Sequence, residues 1–340
     1  MSKIKVVNII SDTNIGGAGK CVLTFAKNYN REHYDLTVVV PQGSLLKEPC
    51  QQAGVRVIEA EGIADESMSL KGVAAQKKLI QSLKPDIVHT HASLTSRIAA
   101  RLAGVKGIVY TRHCVYEPSK LMKSLPGRLL NRLVAALFTT KAIAVAEAAA
   151  KNLTDVGIPK KDIEVVLNGI EPLKPLTEEE KRIQRQRFHV EEGEWVISLI
   201  ARLEEVKGHK YFIEAARLLK DKGYPVHFIA AGTGSIEQKL RDSVKNGEVD
   251  FCGFINDPQN LVGITDISVN ASYGTEATSI SLLEGMSLGI PAVVSDYGGN
   301  PGVIQEGKNG LLFPTHDAAA LAVAIEKLLL DPQLYEKLKK

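Results

Sequence analysis

Short apolar segments alternate with longer segments of helical periodicity along the whole chain. The apolar segments are rich in valine and isoleucine and lack polar alternation, which is typical of parallel strands that helices cover on both faces. In the first half of the chain these predicted strands are residues 4–10, 36–40, 55–58, 87–89, 108–110, 142–145 and 163–166. In the second half they are residues 195–200, 226–230, 249–252, 267–269, 292–294 and 311–313.

Helix-length segments separate these strands, and the clearest of them are residues 208–222, 236–245 and 318–330. A repeated strand–helix order predicts an α/β fold with two doubly wound, Rossmann-like domains. A proline- and charge-rich stretch after Gly169 interrupts the order, and Trp195 begins a new strand. The predicted organisation is a first domain, a linker with a surface helix, and a second domain, at residues 1–168, 169–190 and 191–340.

The composition is that of a soluble globular protein, because 44% of the 340 residues are hydrophobic and 24% are charged. The net charge of +3 is too small to favour nucleic acid as a partner. The four cysteines lie far apart and form no C-x-x-C pair. Their spacing favours a reducing compartment and argues against zinc sites and disulfides.

The expected location is the cytoplasm. The first residues run directly into a strand and do not resemble a signal peptide. No apolar run approaches the roughly 20 residues that a membrane-spanning helix needs. The segment 119–138 mixes basic and large apolar residues, so it is either a helix that rests on an anionic membrane or an amphipathic helix packed on the sheet. The first alternative would attach the protein peripherally to the inner face of the membrane.

Two turns follow the opening strands of the two halves, where open α/β sheets bind ligands. In the first turn, Gly16 and Gly17 let the backbone approach a ligand, and the next helix offers unpaired N–H groups to an anion. A tight turn alone also explains these glycines. Neither a P-loop nor a G-x-G-x-x-G dinucleotide fingerprint is complete here, which disfavours a dehydrogenase.

The second turn contains Arg202 and Lys207, two cations that follow a strand and precede a helix. Arginine can bind a diphosphate through its planar fork, and lysine through its point charge. The alternative is a pair of surface bases that Glu204 and Glu205 neutralise. The place of the turn at the end of the domain's first strand favours the ligand site.

Two carboxylates, Glu276 and Glu284, flank the start of an apolar helix. We expect Glu276 in the loop and Glu284 in the first turns of the helix, where both can accept hydrogen bonds from a hydroxyl-rich ligand. Thr278 or Ser279 is the expected helix cap. The rival interpretation is a capping box in which Ser281 caps the helix and Glu284 is purely structural.

Histidines lie at the ends of two predicted strands. His89 and His91 end one strand, where neutral histidines often satisfy backbone groups, and for His91 a functional and a structural role stay open. His113 lies in the turn after another strand, a position that favours a functional role over a structural one.

Together, these motifs resemble the retaining glycosyltransferases of family 4, which have the GT-B fold of two Rossmann-like domains facing an interdomain cleft. The resemblance covers nearly the whole chain. It rests on Glu276, Glu284 and the Gly285-Met286 pair that follows them. Further matching residues are Gly16-Gly17, His89-Thr-His91, Thr111-Arg-His113, Asn168-Gly169, Arg202, Lys207-Gly208, Gly232-Thr-Gly234 and Gly298-Gly299-Asn300-Pro301.

The resemblance implies how this chain would bind a nucleotide-diphosphate-sugar. Arg202 and Lys207 would hold the diphosphate, and the backbone at Ser279 and Ile280 would support its distal phosphate. Family members usually need no metal, because bases and helix N-termini neutralise the diphosphate. The resemblance therefore implies neither a metal nor a cofactor besides the donor substrate.

The remaining roles concern the sugar and the acceptor. By resemblance, Glu284 would bind the ribose hydroxyls, and Glu276 would face the hydroxyls of the donor sugar. His113 would lie near the transferred sugar. Gly16 and Gly17 would line the cleft beside the phosphate or a glycan or lipid-linked acceptor.

The implied function is transfer of a sugar to an acceptor hydroxyl with retention of anomeric configuration, in polysaccharide or glycolipid synthesis for the cell envelope. Two rivals fit the same architecture: a nucleotide-sugar 2-epimerase and a non-catalytic nucleotide-sugar binder. The binder is suggested by residues 277–279, Ala-Thr-Ser, where the family usually has Gly-Phe-Gly. Gly302 stands where a glutamate is common, and the end at Lys340 suggests a short or trimmed form.

Overall fold

The computed structural model describes residues 2–63, 69–255 and 257–339. The chain divides into two compact units, Met1–Gly169 and Ile170–Lys340. Each unit contains one parallel sheet with apolar cores on both faces, which confirms the predicted α/β class with two doubly wound domains. Lys340, the last residue of the predicted second domain, lies outside the described residues.

The sheet of the first unit is built from the apolar segments of the first half of the chain. Its strands are β1 (Ile4–Ile10), β2 (Tyr34–Pro41), β3 (Arg56–Ala60), β4 (Ile87–His91), β5 (Gly107–Arg112), β6 (Lys141–Ala144) and β7 (Ile163–Val165). Their order is β3-β2-β1-β4-β5-β6-β7, and neighbouring strands are parallel. The order changes direction between β1 and β4, so the carboxyl ends of these strands are the expected ligand crevice.

Helices cover both faces of this sheet. They are α1 (Gly17–Asn28), α2 (Lys47–Gln52), α3 (Leu70–Leu83), α4 (Leu94–Leu102), α5 (Lys120–Lys123), α6 (Leu125–Phe138) and α7 (Glu147–Asp155). Alternate residues of β1 serve two cores, because successive side chains of a strand point to opposite faces. Val7 and Ile9 pack in the core of α3 and α4, whereas Val6 and Ile10 pack in the core of α1.

The sheet of the second unit has the same architecture. Its strands are β8 (Trp195–Ile200), β9 (Val226–Ala231), β10 (Asp250–Phe251), β11 (Ile267–Asn270), β12 (Ala292–Ser295) and β13 (Gly310–Phe313). The order is β10-β9-β8-β11-β12-β13, again with parallel neighbours. The direction changes between β8 and β11, so the basic turn and the acidic loop predicted from the sequence follow adjacent strands.

The helices of the second unit are α8 (Glu178–Arg187), α9 (His209–Asp221), α10 (Glu237–Ser243), α11 (Gln259–Val262), α12 (Ile280–Ser287), α13 (Asn300–Val303), α14 (Ala318–Leu330) and α15 (Pro332–Leu338). Helix α8 buries none of its residues, and a capping box between Thr177 and Glu180 starts it. Helices α9 and α14 pack on one face of the sheet, where Phe212 and Phe228 have ring centroids 5.0 Å apart. Within the described ranges, no helix has both the length and the apolar character of a membrane span.

Every predicted strand overlaps an observed strand, and the differences lie at the ends. The largest shortening concerns residues 249–252, of which only Asp250–Phe251 form β10. This strand is at the edge of the sheet and pairs only with β9 among the described strands. An edge strand can form a hydrogen-bond ladder on one side only, so the length of β10 depends on its pairing with β9 alone.

Candidate active site

The turn after β8 and the loop after β11 meet through a buried ion pair. The ammonium of Lys207 donates to Oε2 of Glu276 at 2.8 Å, and the two side chains are 12% and 8% exposed. The two residues are far apart in sequence, and adjacent parallel strands bring them together at one edge of the sheet. The basic and acidic residues predicted from the sequence therefore belong to one site.

The Glu276 carboxylate is held by its environment on one oxygen. Besides Lys207, Oε2 accepts hydrogen bonds from the Ser272 hydroxyl at 2.9 Å and the Asn270 amide at 3.4 Å. Among the residues that the structure describes, every hydrogen bond to this carboxylate ends on Oε2. Oε1 is therefore the atom that a ligand hydroxyl can reach, on a carboxylate whose orientation is already fixed.

The two acids next to the basic turn have other partners. The Glu204 carboxylate accepts from the Ser235 hydroxyl and backbone, and these hydrogen bonds lower its pKa. Glu205 forms an ion pair with Lys239, which lowers the pKa of Glu205. The alternative in which Glu204 and Glu205 neutralise the two cations is therefore wrong for Lys207.

Arg202 lies on the same turn and is exposed. Within the described part of the chain, its guanidinium forms no hydrogen bond and no ion pair. An exposed arginine beside a buried lysine–glutamate pair leaves its planar fork available for an anion.

Helix α12 begins beside this turn. The Ser279 hydroxyl accepts from the backbone N–H of Leu282 at 3.3 Å, so the predicted cap is confirmed and the rival capping box through Ser281 is wrong. The Ser281 hydroxyl instead donates to the carbonyl of Ile200, the last residue of β8, at 2.9 Å. This bond places the first turn of α12, with its N–H groups at Ile280 and Ser281, against the strand that leads to the basic turn.

Glu284 lies one turn further along α12 and is 6% exposed. The predicted placement of Glu276 in the loop and Glu284 in the helix is confirmed. The helix is short and apolar, so a buried carboxylate in it must be compensated by polar neighbours or by a ligand.

Two glycines let the loops of the site pack backbone against backbone. Gly208 has a φ of +74° and Gly298 a φ of +60°, values that favour glycine. A Cβ at Gly208 would meet the Ala271 carbonyl oxygen at 2.0 Å, and one at Gly298 would meet the Glu276 carbonyl oxygen at the same distance. The loop that carries Glu276 is therefore fixed from two sides.

Histidines cluster at the carboxyl ends of β4 and β5 in the first unit. Nδ1 of His91 and Nε2 of His113 are 2.6 Å apart, and their ring planes differ by only 21°. His89 contacts the Thr111 hydroxyl at 2.6 Å. Burial lowers the pKa of His89 and of His113 to about 4, and that of His91 well below its usual range, so all three are neutral at pH 7.

The remaining predicted residues of the first unit lie in the turn after β1. Gly16 precedes α1 without a side-chain cap, and Gly17 is its first residue. This places the N-terminus of a 12-residue helix at the carboxyl edge of the sheet. The backbone there is open, since a Cβ at Gly16 would meet only the Asp12 carboxylate, at 3.6 Å.

The predicted site residues are divided between the two units. Arg202, Lys207, Glu276, Ser279, Ile280 and Glu284 belong to the second unit, and Gly16, Gly17 and His113 to the first. Sequence reasoning missed Asn270 and Ser272, which fix Glu276. The sequence feature that could have identified them is the pair of polar residues at the end of the apolar segment that forms β11. No group of three His, Cys, Asp or Glu side chains in the described ranges is arranged to hold a metal ion.

Comparison with known families assigns both units. Residues 15–173 match the family described as Glycosyltransferase Family 4, and residues 180–340 match the family described as Glycosyl transferases group 1. EpsD of Bacillus subtilis, whose name assigns it to the glycosyltransferases, is 31% identical over 77% of this chain and 72% of its own length. The chain belongs to the glycosyltransferases of the GT-B fold.

Two further similarities extend over almost the whole glycosyltransferase chain. The UDP-Gal:alpha-D-GlcNAc-diphosphoundecaprenol alpha-1,3-galactosyltransferase of Escherichia coli is 26% identical over 98% of this chain and 90% of its own length. The crystal structure of HepE from Anabaena, in complex with UDP and glucose, superposes with a TM-score of 0.84. The two sequences are 22% identical, and the superposition covers 99% of this chain and 93% of HepE. This similarity shows that the two proteins share a fold.

The backbone packing at Gly298 generates a stability prediction. We expect Gly298→Ala to lower the free energy of unfolding of the second unit by more than about 1 kcal/mol, because alanine is strained at positive φ and its Cβ would displace the Glu276 carbonyl. Fluorescence of Trp195, the chain's one tryptophan, during urea denaturation reports on this unit.

Gly302→Ala is the matched control in the same segment. A Cβ at Gly302 has no atom within 4 Å, and the residue lies in α13. Its effect should stay within about 0.5 kcal/mol of the parent. Equal stability of the two variants would show that the loop carrying Glu276 does not depend on Gly298.

Proposed function

We propose that this glycosyltransferase takes a sugar from a nucleotide-diphosphate-sugar and transfers it to an acceptor hydroxyl with retention of anomeric configuration. The observation that carries the proposal is the Lys207–Glu276 pair, which sets a cation and an oriented carboxylate side by side at the carboxyl edge of the sheet. Relatives support the donor class, since HepE was solved with UDP and glucose and the Escherichia coli enzyme is named for UDP-Gal.

Each polar group of the candidate site in the second unit then has a role in binding the donor. Arg202 and Lys207 bind the diphosphate, and the backbone N–H groups at Ser279 and Ile280 bind its distal phosphate. Glu284 accepts hydrogen bonds from the ribose hydroxyls. Lysine has three N–H donors, so Lys207 can keep its bond to Glu276 while it binds phosphate.

The remaining assignments concern the sugar and the acceptor. Oε1 of Glu276 accepts hydrogen bonds from hydroxyls of the donor sugar. His113, held by its bond to His91, lies near the transferred sugar as a neutral imidazole. Gly16 and Gly17 give the first unit an open backbone for the phosphate or acceptor. Like the donor-side roles, these assignments are our proposal for residues whose positions are described above.

The chemistry proposed is stabilisation of the leaving group. The bond between the anomeric carbon and the diphosphate oxygen breaks, and negative charge develops on the diphosphate. Arg202, Lys207 and the N-terminus of α12 oppose that charge without reorganisation. Each charge-assisted hydrogen bond contributes about 1.5–3 kcal/mol. The acceptor oxygen bonds to the same face of the anomeric carbon, and its proton passes to the departing phosphate oxygen.

Removing either cation tests the diphosphate site. We expect Arg202→Ala and Lys207→Ala each to lower kcat by about 10²-fold or more, the loss typical of one donor that stabilises developing charge. Initial rates with a panel of nucleotide-sugars and a lipid-linked or glycan acceptor provide the measurement. We expect the same rates in the presence of a metal chelator, because these side chains supply the positive charge.

Lys239→Ala is the matched control, since it removes an equal charge next to the same turn but outside the proposed site. Arg202→Ala separates catalysis from folding, because the exposed Arg202 guanidinium supports no contact within the described residues. Parental rates in both Arg202→Ala and Lys207→Ala would remove the cations from the site.

The stereochemistry of the product tests the mechanism. We expect the product to keep the anomeric configuration of the donor, because acceptor attack and departure occur on one face. Proton NMR of the product gives the configuration of the new glycosidic bond, which does not equilibrate. An inverted centre would exclude this mechanism. An epimer formed from donor alone would indicate a 2-epimerase, and donor binding without turnover would indicate a non-catalytic binder.

We also propose that α5 and α6 attach the enzyme to the membrane where a lipid-linked acceptor is available. Neither helix buries any residue, and six leucines are 49–74% exposed: Leu121, Leu125, Leu129, Leu130, Leu133 and Leu137. We call these six residues the leucine surface. Because the leucines stay exposed, the alternative in which this segment packs its apolar residues on the sheet is wrong for them.

Basic residues accompany the leucine surface. Lys120 and Lys123 lie on α5, and Arg128 and Arg132 lie on α6. Exposed leucines beside cations match the two components of an anionic membrane, an apolar interior and a negatively charged surface. The acceptor in the name of the Escherichia coli relative, a diphosphoundecaprenol-linked sugar, is consistent with this location.

Replacing two leucines tests the membrane contact. We expect Leu129→Gln/Leu133→Gln to weaken binding to vesicles of phosphatidylcholine and phosphatidylglycerol by about tenfold or more, because apolar area is lost from the membrane face. Flotation at low salt is the measurement. The control, Leu70→Gln/Leu102→Gln, changes two other exposed leucines of the unit, which are 79% and 53% exposed. Absence of vesicle binding by the parent protein would refute the attachment.

A further inference from the structure

A cavity of about 340 Å³ lies in the first unit, where α6, β6 and the connection from α7 to β7 meet. It is in the size range of small-ligand sites, about 300–1,000 Å³. Four basic side chains line it, Arg97, Arg132, Lys141 and Lys161, against one acidic side chain, Asp162. We call this cavity the basic pocket. Its charge balance is unusual for a chain whose total net charge is only +3.

The basic pocket is distinct from the transferase site. Lys141 is the first residue of β6, and Asp162 immediately precedes β7. The pocket therefore lies at the amino ends of parallel strands, whereas His113 and the glycine turn lie beyond the carboxyl ends. The two edges of a parallel sheet are opposite each other, so none of the donor-binding residues explains the pocket.

The cations of the basic pocket lack carboxylate partners. Across the described ranges, none of Arg97, Arg132, Lys141 and Lys161 forms an ion pair. The Lys141 ammonium donates to the backbone carbonyl of Lys161 at 2.9 Å, which fixes this ammonium in the wall of the pocket. Clustered cations of this kind are stabilised when an anion binds between them.

Arg97 fixes one wall of the pocket. Its guanidinium donates to the Thr139 hydroxyl at 2.9 Å and lies 4.4 Å from the centre of the Tyr110 ring. Burial lowers the pKa of Arg97, and the nearby Arg112 lowers it further, so its surroundings disfavour a positive charge that has no counter-ion. The arginine is thus oriented in advance and would gain from a bound anion.

One helix joins the basic pocket to the leucine surface. Arg132, Ala135 and Ala136 of α6 line the pocket, as does Thr139 directly after the helix. Leu129, Leu133 and Leu137 of the same helix are exposed. A membrane that accepts those leucines would bring its headgroups to the rim of the pocket. A phosphate group suits the lining, because arginine binds phosphate through two parallel hydrogen bonds and lysine adds charge.

We propose that the basic pocket binds the phosphate group of an anionic membrane lipid and so holds α6 at the bilayer surface. The occupant is a phospholipid headgroup whose acyl chains continue into the membrane beside the leucine surface. The lipid assignment rests on the proposed membrane attachment, whereas the phosphate chemistry of the pocket stands on its lining alone. Its role is attachment of the enzyme, separate from the sugar transfer.

The test compares two double variants that remove equal charge from the same side of the unit. Arg132→Gln/Lys141→Gln removes two exposed cations of the pocket, and Lys120→Gln/Lys123→Gln removes two exposed cations of α5 outside it. All three proteins are titrated with vesicles of phosphatidylcholine containing phosphatidylglycerol. They are also titrated with a short-chain, water-soluble phosphatidylglycerol and with inorganic phosphate, followed by NMR.

We expect saturable binding of the short-chain lipid by the parent and by the α5 variant. The pocket variant should bind it at least about tenfold more weakly, the scale of losing two basic contacts to a lipid phosphate. Vesicle affinity should fall further in the pocket variant than in the α5 variant. An equal fall of vesicle affinity in both variants would overturn the proposal, because it would show that the membrane senses the overall positive charge of this surface and not the pocket.

Two further outcomes separate this inference from the membrane attachment on which it builds. If the parent protein does not bind vesicles but the short-chain lipid still binds in the pocket, the membrane attachment is refuted and the phosphate site is supported. If inorganic phosphate binds as tightly as the lipid and the variants float like the parent, the pocket takes a soluble phosphate ester and the lipid assignment is overturned.

Discussion

The buried ion pair between Lys207 and Glu276 is the interaction on which the site depends. Removing one partner of such a pair leaves an uncompensated buried charge, at a cost of about 3–5 kcal/mol. The pair joins the turn after β8 to the loop after β11, and the Ser281–Ile200 hydrogen bond brings α12 to the same place. A cation, an oriented carboxylate and a helix N-terminus are thereby gathered at one edge of the sheet.

Each place where this glycosyltransferase is proposed to bind an anion contains at least one cation that forms no ion pair among the described residues. On the second unit, Arg202 is exposed while the neighbouring acids are occupied by Ser235 and Lys239. On the first unit, the basic pocket gathers four cations around one acid. In ordinary surface pairs, opposite charges satisfy each other and contribute little. Arg202 and the four cations of the basic pocket form no ion pair among the described residues, which is why both places are proposed as anion sites.

Much of the fold was predictable because its signal is local. Parallel strands covered on both faces read as continuous apolar runs, and all of those runs overlap observed strands. Prediction was weakest where tertiary structure decides, as at β10, whose short ladder reflects its place at the sheet edge. The cap of α12 was similarly ambiguous, since Ser279 and Ser281 both fit the pattern. The structure resolves which serine caps α12, because the Ser281 hydroxyl donates to the Ile200 carbonyl instead. These two residues are distant in sequence.

The sequence by itself determined the α/β class, the strands and the family, because apolar periodicity and turn motifs are properties of consecutive residues. It also identified Arg202, Lys207, Glu276 and Glu284 as candidates. Only the tertiary structure decided which charges pair, because Lys207 reaches past its neighbours Glu204 and Glu205 to a carboxylate on another strand. Pairing, burial and the exposure of the leucine surface depend on which segments the chain brings into contact, and distance along the sequence does not encode that geometry.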